Sequence, residues 1–492
     1  MSKKGLAIAG AACAAFTGVS FVRALNYKPL PAEAAEIEDY PVDVDKVCEH
    51  LSRAIQIKTV STMNDLTTDW SQFDEFHKFL EEAYPLIHKN CEKEVVGAAS
   101  LMFRWPGKDP SLDPVAFLSH QDVVPISEGT EQDWEHDPWS GYNDGEIIWG
   151  RGALDMKNHL ICVCEAIESL MEQGFEPDRD VYLLFGHNEE QVSTGCSGAQ
   201  EIVKTLQERG IHLDSTIDEG SALLKVAVPG VIDSYLTAIG IAEKGFVNMK
   251  ITLNTKGGHS SVSPKHTGVG ILAKTIRDIE NHPFKTRWLP FMDELVDQAA
   301  RMTSLPVRMI LVNFPILRPL VQYVMGQIPE SASLVHTVQG VTMVEGSMQP
   351  NVLPQRPSMT INFRPLQGDS IADVVEHIRK VIKYDDYELV TSDEKEPTRL
   401  CSTTSRAYKA IEKVEHGLHP NNIAVVPYLV MGGTDSANYE PICENCLRYA
   451  PFCVSPALLM TTHGTNERIP ISCLKESVLF FREYCKIVAG KD

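Results

Sequence analysis

The sequence predicts an α/β protein built on a largely parallel sheet and interrupted by an inserted α+β domain. Three observations predict it. Short buried-strand patterns alternate with amphipathic helical patterns from residue 42 to about 235. Near Tyr235 the texture changes to the period-2 alternation of half-exposed antiparallel strands. The ends of successive predicted strands also carry His, Asp and Glu, where an open α/β sheet gathers its ligands.

The chain opens on "MSKKGLAIAGAACAAFTGVSFVRALNY", in which Lys3 and Lys4 precede an apolar run from Gly5 to Val22. This is the pattern of a signal peptide or signal anchor over residues 1–25, followed by a linker over 26–41. It sends the body of the protein into the secretory pathway, to be secreted, lumenal, or held at a membrane by a retained anchor. A buried N-terminal helix is the competing reading. No other stretch approaches a membrane span.

Residues 42–235 form the first part of the predicted α/β domain. "VCEHLSRAIQIKTVS" and "FDEFHKFLEEAYPLI" place apolar residues at helical spacing. "VAFLSH" reads as a buried strand, and "EIIWGRG" as a strand after an Asn-Asp-Gly turn. "HLICVCEAIESLMEQG" is a helix, "VYLLFG" a strand, and "GAQEIVKTLQERG" a helix closed by Gly210. "STIDEG" closes a further short strand. Residues 236–385 are the predicted insert, with strands in "FVNMKITLNTKGGHSS" and "MTINFRP"; residues 386–492 resume the first domain.

Composition excludes several classes. The apolar and charged fractions are those of a globular protein. A formal charge of −21 without a basic run beyond the first lysines disfavours a polyanion, so no nucleic-acid partner is expected. Twelve cysteines are scattered; Cys443 and Cys446 have zinc-like spacing, but no second pair follows at a suitable distance. An extracytoplasmic body would permit one or two disulfides. No Asn-x-Ser/Thr acceptor is present.

The chemistry sits at four strand ends and one late loop. "FLSHQDVVP" places His120 and Asp122 two apart, on one side of an extended chain. "GRGALDMKN" presents Asp155, "GHNEEQ" presents Glu189 and Glu190, "STIDEG" presents Asp218 and Glu219, and "TTHGTNERIP" presents His463. Oxygen and nitrogen donors without cysteine suit two divalent ions such as zinc, cobalt or manganese. A bridging carboxylate holds such a pair about 3.5–4 Å apart.

The ordered set "SHQDVVP", "GRGALDMKN", "GHNEEQ", "DEG", "GGHSS", "NFRP", "GGTDS" and "HGTNERI" resembles the M20 family of metallopeptidases, from about Val42 to the C-terminus. Within the family, "AIQIKTVS", "DPWSGYNDGEIIWGRG" and "AEKGFVNMKITLNTKGGHSS" are most similar to the branch of N-fatty-acyl-amino acid synthase/hydrolases and vacuolar carboxypeptidase S. The resemblance implies a di-zinc aminopeptidase-like catalytic domain with an inserted lid, through which some members form homodimers. His120 and Glu219 would hold one zinc, Glu190 and His463 the other, and Asp155 would bridge them. Asp218 stays an alternative to Glu219. A cis peptide is expected between Asp155 and Met156.

On the same resemblance Glu189 is the general base. Neighbouring residues at a strand end point in different directions, so Glu190 can face a metal while Glu189 faces the attacking water. Asp122 would orient a ligand from behind. His259 of "GGHSS" would stabilise the oxyanion, and Arg364 would clamp the substrate carboxylate. Asn351 would add a polar contact, as would Thr434 with the amides of Gly432–Ser436. The implied substrate is a small N-acyl amino acid, or a short peptide with a free carboxylate. Between Phe284 and Pro329, Trp288, Phe291, Met302, Met309, Phe314, Leu317 and Leu320 suit either a packed helical core or interface, or an acyl-chain groove. A catalytically dead binding protein is a third reading, disfavoured because every expected ligand and the base are present.

Overall fold

Apolar runs too short for helices and bounded by turn residues become strands buried on both faces. Val115–His120 and Val181–Gly186 are buried at every position. They form the middle of an eight-stranded sheet in a computed structural model that describes residues 17–28, 32–62, 65–191, 197–420 and 423–491. The strand order is Glu92–Val96, Ser100–Trp105, Val181–Gly186, Val115–His120, Ser215–Val228, Cys446–Val454, Ile232–Glu243, Ile423–Val430. The central pairings of Val181–Gly186, Val115–His120, Ser215–Val228 and Cys446–Val454 are parallel. Their carboxyl ends therefore open on one edge.

Helices cover the sheet. Val44–Gln56 and Ile471–Val488 pack against Lys157–Glu172, whose first fourteen residues are all buried. Trp70–Ala83 stops at Tyr84, ahead of Pro85, as the residue before proline avoids helical geometry. Gly198–Glu208 starts from a reciprocal cap between Ser197 and Gln200, and Gly210 leaves it at φ +67°. The strand in "EIIWGRG", Ile147–Trp149, lies in a separate three-stranded sheet with Arg468–Pro470 and Tyr142–Asn143.

Two expected boundaries move. The strand expected to close at "DEG" runs on from Ser215 to Val228, because a register shift against Arg448 and Ala450, with Gly220 at φ +111°, takes up the bend. Glu219 thus leaves a bulge within a strand instead of a strand end. The insert joins at Lys244–Gly245 and Glu396–Pro397, where residues 236 and 385 were expected. Ile232–Glu243 pairs with Ile423–Val430 in the central sheet, whereas Tyr387–Lys395 pairs with Phe246–Leu253 in the insert. Ile232–Glu243 starts partly exposed and is buried throughout from Thr237 on, so the change of texture near Tyr235 falls inside a central strand, whereas Tyr387–Lys395 alternates along its length.

The insert's antiparallel sheet has the order Val338–Glu345, Ser358–Arg364, Phe246–Leu253, Tyr387–Lys395. It builds a second apolar core with helices Gly268–Glu280 and Ile371–Val381. The helical stretch 291–335 behaves differently, since Phe291, Met292 and Val335 join the main core. Phe314 is buried against Trp288, ring centroids 4.9 Å apart. Leu320 is exposed.

All ten described cysteines are unpaired. The apolar N-terminal run falls largely on residues 1–16, outside the described residues; residues 17–26 are helical. Among the described residues no helix is long and apolar enough to cross a membrane.

Candidate metal centre

The carboxyl-terminal edge of the central strands gathers seven of the expected side chains. His120 ends Val115–His120, and Glu189 and Glu190 follow Val181–Gly186. Asp155 precedes helix Lys157–Glu172 across a cis peptide to Met156. Their donors converge: His120 Nε2 lies 3.2 Å from Asp155, 3.4 Å from Glu219 and 4.0 Å from Glu189. His463 Nε2 lies 3.0 Å from both Asp155 and Glu190. Asp155 therefore stands between two imidazoles, each with a further glutamate.

Two overlapping triads, His120–Asp155–Glu190 and His120–Glu189–Glu219, have ligand atoms within 4.8 Å of one another. The electrostatics fit cations. Burial and neighbouring acids push Glu219 up to about 8 and Glu189 well above the usual carboxylate range. Burial raises Glu190 as well. His463 is raised to about 10 by its hydrogen bonds to Asp155 and Glu190. A cluster of buried acids that must share protons with imidazoles is relieved when divalent ions take the protons' place.

Asp122 is fully buried behind this cluster. Its two oxygens accept the main-chain N–H groups of Glu189 at 3.1 Å and Glu190 at 3.2 Å, and the hydroxyl of Ser61 at 2.5 Å. Oδ1 also lies 3.4 Å from His120 Nδ1. Burial disfavours its charge, but His120 and these donors outweigh that and hold it below its ordinary value. Asp218 is turned away from the donors: its oxygens accept the amides of Glu219 at 2.9 Å and Ser436 at 2.8 Å. Of the adjacent acids, Glu219 is the one that reaches His120.

Two residues without an assigned role shape the site. Buried Glu467 accepts the N–H groups of Gly152, Leu154 and Asp155 at 3.0, 2.9 and 3.1 Å, and it is ion-paired with buried Arg151. Arg151 in turn donates to the carbonyls of His463 and Gly464. One buried pair thus holds both the Asp155 loop and the His463 loop. Both residues lie inside motifs that carried the resemblance, "GRGALDMKN" and "HGTNERI", and that adjacency was the available signal.

The remaining expected residues lie apart. His259 is exposed on the insert, its Nδ1 2.8 Å from Ser261 Oγ, and Asn351 lies beside it, its carbonyl accepting from Ser260. Arg364 is half-buried over the ring of Phe246 at 4.4 Å. Among the described residues no hydrogen bond or ion pair ties these three to the acid cluster. Thr434 is buried, and its hydroxyl donates to Glu243 at 2.8 Å and accepts from Ser436 N–H. Glu243 also pairs with buried Arg448 at 2.6 Å.

A model of peptidase family M20/M25/M40 matches residues 116–486. The N-fatty-acyl-amino acid synthase/hydrolase PM20D1 of Bos taurus is 32% identical, covering 89% of this chain and 86% of that protein. Carboxypeptidase S of Saccharomyces cerevisiae is also 32% identical, over 89% of this chain and 83% of that protein. Among solved structures, the M20 family metallo-carboxypeptidase Sso-CP2 from Sulfolobus solfataricus aligns with a TM-score of 0.67 at 18% identity, covering 90% and 99% of the two chains. A dinuclear metal-binding M20 peptidase of Bacillus subtilis aligns at 0.56 and 14% identity, covering 90% and 98%.

Proposed function

The chain belongs to peptidase family M20/M25/M40 and is a metallohydrolase, and on that premise we propose that it cleaves, and in reverse forms, the amide bond of N-acyl amino acids, N-fatty-acyl amino acids among them, with two zinc ions. The observation that carries this reading is the placement of Glu189. Its main chain is fixed by Asp122, while its carboxylate projects toward His120 beside Asp155 and Glu219.

His120 and Glu219 would hold one ion, Glu190 and His463 the other, with Asp155 between them. A pair of divalent ions there supplies Lewis acidity, which lowers the pKa of water and polarises the amide carbonyl. Glu189 takes the proton of the attacking water and delivers it to the amine nitrogen as the C–N bond breaks. Asp122 keeps Glu189 oriented through its carboxylate, and His120 through its main-chain carbonyl, which lies 3.0 Å from Nδ1.

A free carboxylate on the substrate is the second half of the reading. Arg364 has no acid partner among the described residues, and burial already lowers its proton affinity, so a carboxylate is its natural complement. His259 and Asn351 would approach the scissile bond from the insert, His259 as the oxyanion donor. The Thr434 hydroxyl and N–H are committed to Glu243 and the Ser436 N–H to Asp218, so this loop would offer the substrate its Gly432 and Gly433 amides. The apolar leader favours a secreted, lumenal or membrane-held enzyme, and pairing through the insert is the homodimer this reading expects.

The similarity to carboxypeptidase S favours a second reading, cleavage of short peptides with a free C-terminal carboxylate. One experiment separates the two: zinc-loaded protein against N-acetyl to N-oleoyl amino acids and against dipeptides, with Glu189→Gln as the blank. Each CH₂ buried in an acyl groove is worth about 0.8 kcal/mol, so kcat/KM should climb with chain length. A flat acyl series with efficient dipeptide turnover removes the fatty-acyl reading.

A further inference from the structure

Residues 17–26 form a helix that docks on the helical stretch 291–328. Ser20 and Ala24, one turn apart, are buried, and Asn313 donates to Ser20 Oγ at 2.7 Å. Tyr27 hydrogen-bonds Asp297, while the Arg301 guanidinium lies 4.1 Å from the Tyr27 ring centroid and donates to the Lys28 carbonyl at 2.8 Å. The opposite face of this helix turns Val19, Phe21, Val22 and Leu25 to the outside.

The helix it meets is inverted in the same way. In Phe314–Met325, Phe314 is buried, whereas Ile316, Leu320 and Tyr323 are 69%, 61% and 64% exposed, with Val324 beside them. These positions are spaced i, i+4, i+7 and i+8, which makes one continuous apolar stripe. A water-facing helix of a soluble protein carries polar residues there.

Charge marks the same corner. The chain has 66 acidic residues, yet none falls between positions 1 and 32 or between 298 and 329. The described ends of these two acid-free stretches are the elements that touch. Arg23 and Arg308 have no carboxylate partner among the described residues. Lys3, Lys4 and the apolar run from Gly5 to Val22 lead directly into the helix at this corner.

We propose that this corner is a lipid-seated face, on which the N-terminal helix and helix Phe314–Met325 lie in the headgroup–acyl boundary of an anionic bilayer. The apolar stripes enter the acyl boundary, and the unpaired arginines meet lipid phosphates at its rim. The carboxylates that do reach this corner, Asp293 and Asp297, are paired with Arg318 and Arg301, which lessens the repulsion that the −21 net charge imposes elsewhere. The proposal is independent of the substrate class, because it uses no residue of the metal centre.

The test uses the full chain with phosphatidylcholine vesicles, with or without phosphatidylserine. Binding should favour the phosphatidylserine mixture and weaken with salt. Tyr323→Trp should add emission that brominated phosphatidylcholine quenches, whereas Val390→Trp, on the far insert sheet, should add emission that it does not. Ile316→Glu/Tyr323→Glu should lower the partition coefficient by about tenfold or more, a change of about 1.4 kcal/mol, with hydrolysis of a short-acyl substrate unchanged. Unquenched emission at position 323 in vesicle-bound protein would show that the leader alone holds the membrane and overturn the proposal. A concentration-dependent doubling of mass that the double substitution abolishes, without a change in vesicle binding, would assign the face to a second copy and overturn it equally.

Discussion

Asp122 holds Glu189 by its main chain: Oδ1 accepts the Glu189 N–H at 3.1 Å while Oδ2 accepts that of Glu190 at 3.2 Å. The side chains of both glutamates are thereby left free to point at different targets, although they are neighbours in sequence. His463 stands 3.0 Å from Glu190 and His120 4.0 Å from Glu189, so imidazoles offset part of their mutual repulsion, and a cation held by the donors would offset the rest.

Replacing Glu189 with Gln removes the proton acceptor but preserves shape. Turnover should fall by about 10²–10⁴-fold, while metal content by atomic absorption stays at the wild-type level. Equal loss of metal and activity would make Glu189 a ligand instead of the base.

Asp122→Asn keeps one acceptor and loses the other. Activity or metal affinity should fall by about 10- to 100-fold, and Asp122→Ala should fall further. Wild-type kinetics in Asp122→Asn would reduce the residue to a turn cap.

Glu467→Ala leaves Arg151 buried without its partner and frees three amides of the Asp155 loop. Removing one member of a buried pair costs about 3–5 kcal/mol. Lower thermal stability and weaker metal retention should therefore appear together, measured by calorimetry and by competition with a chelator.

Arg364→Ala should raise KM far more than it lowers kcat for substrates with a free carboxylate. A charge-assisted contact is worth about 1.5–3 kcal/mol, so the change in kcat/KM is about 10- to 100-fold. Carboxyl-esterified analogues should not respond, and an equal response would place Arg364 outside the binding site.

Glu415 offers a pH-dependence remote from the metal centre. It is fully buried, accepts from Tyr449 at 2.6 Å, and burial raises its carboxyl to about 8. Below pH ~4.5 folded and unfolded chains both hold the proton. As pH rises toward 8 the unfolded chain releases it first, so the stability tied to this proton is lost across that window. Glu415→Gln should flatten the fall in Tm between pH 5 and pH 8 by a few degrees, read by differential scanning calorimetry.

Local patterns carried a large part of the fold. The runs "VAFLSH" and "VYLLFG" became strands buried at every position, since their length and flanking turns leave no other element. "HLICVCEAIESLMEQG" became a buried helix by its length. The donors His120, Glu189 and Glu190 were legible because they close or follow strands at the sheet edge where ligands collect, whereas Asp155, Glu219 and His463 were legible from their motifs, with Glu219 placed in a bulge within a strand. The insert's joints were not legible, because the change of texture falls inside Ile232–Glu243, and only strand pairing puts that strand in the central sheet and Tyr387–Lys395 in the insert.

By itself the sequence determined which residue types stand at which element ends, because periodicity, caps and turn chemistry act over a few residues. Only the tertiary structure decided that Asp122 grips amides, that Asp218 turns away while Glu219 leaves a bulge toward His120, and that Glu467 ties two loops more than 300 positions apart in the chain. Those choices depend on hydrogen bonds and burial between distant segments, and no local pattern encodes the geometry of a partner that folding alone brings near.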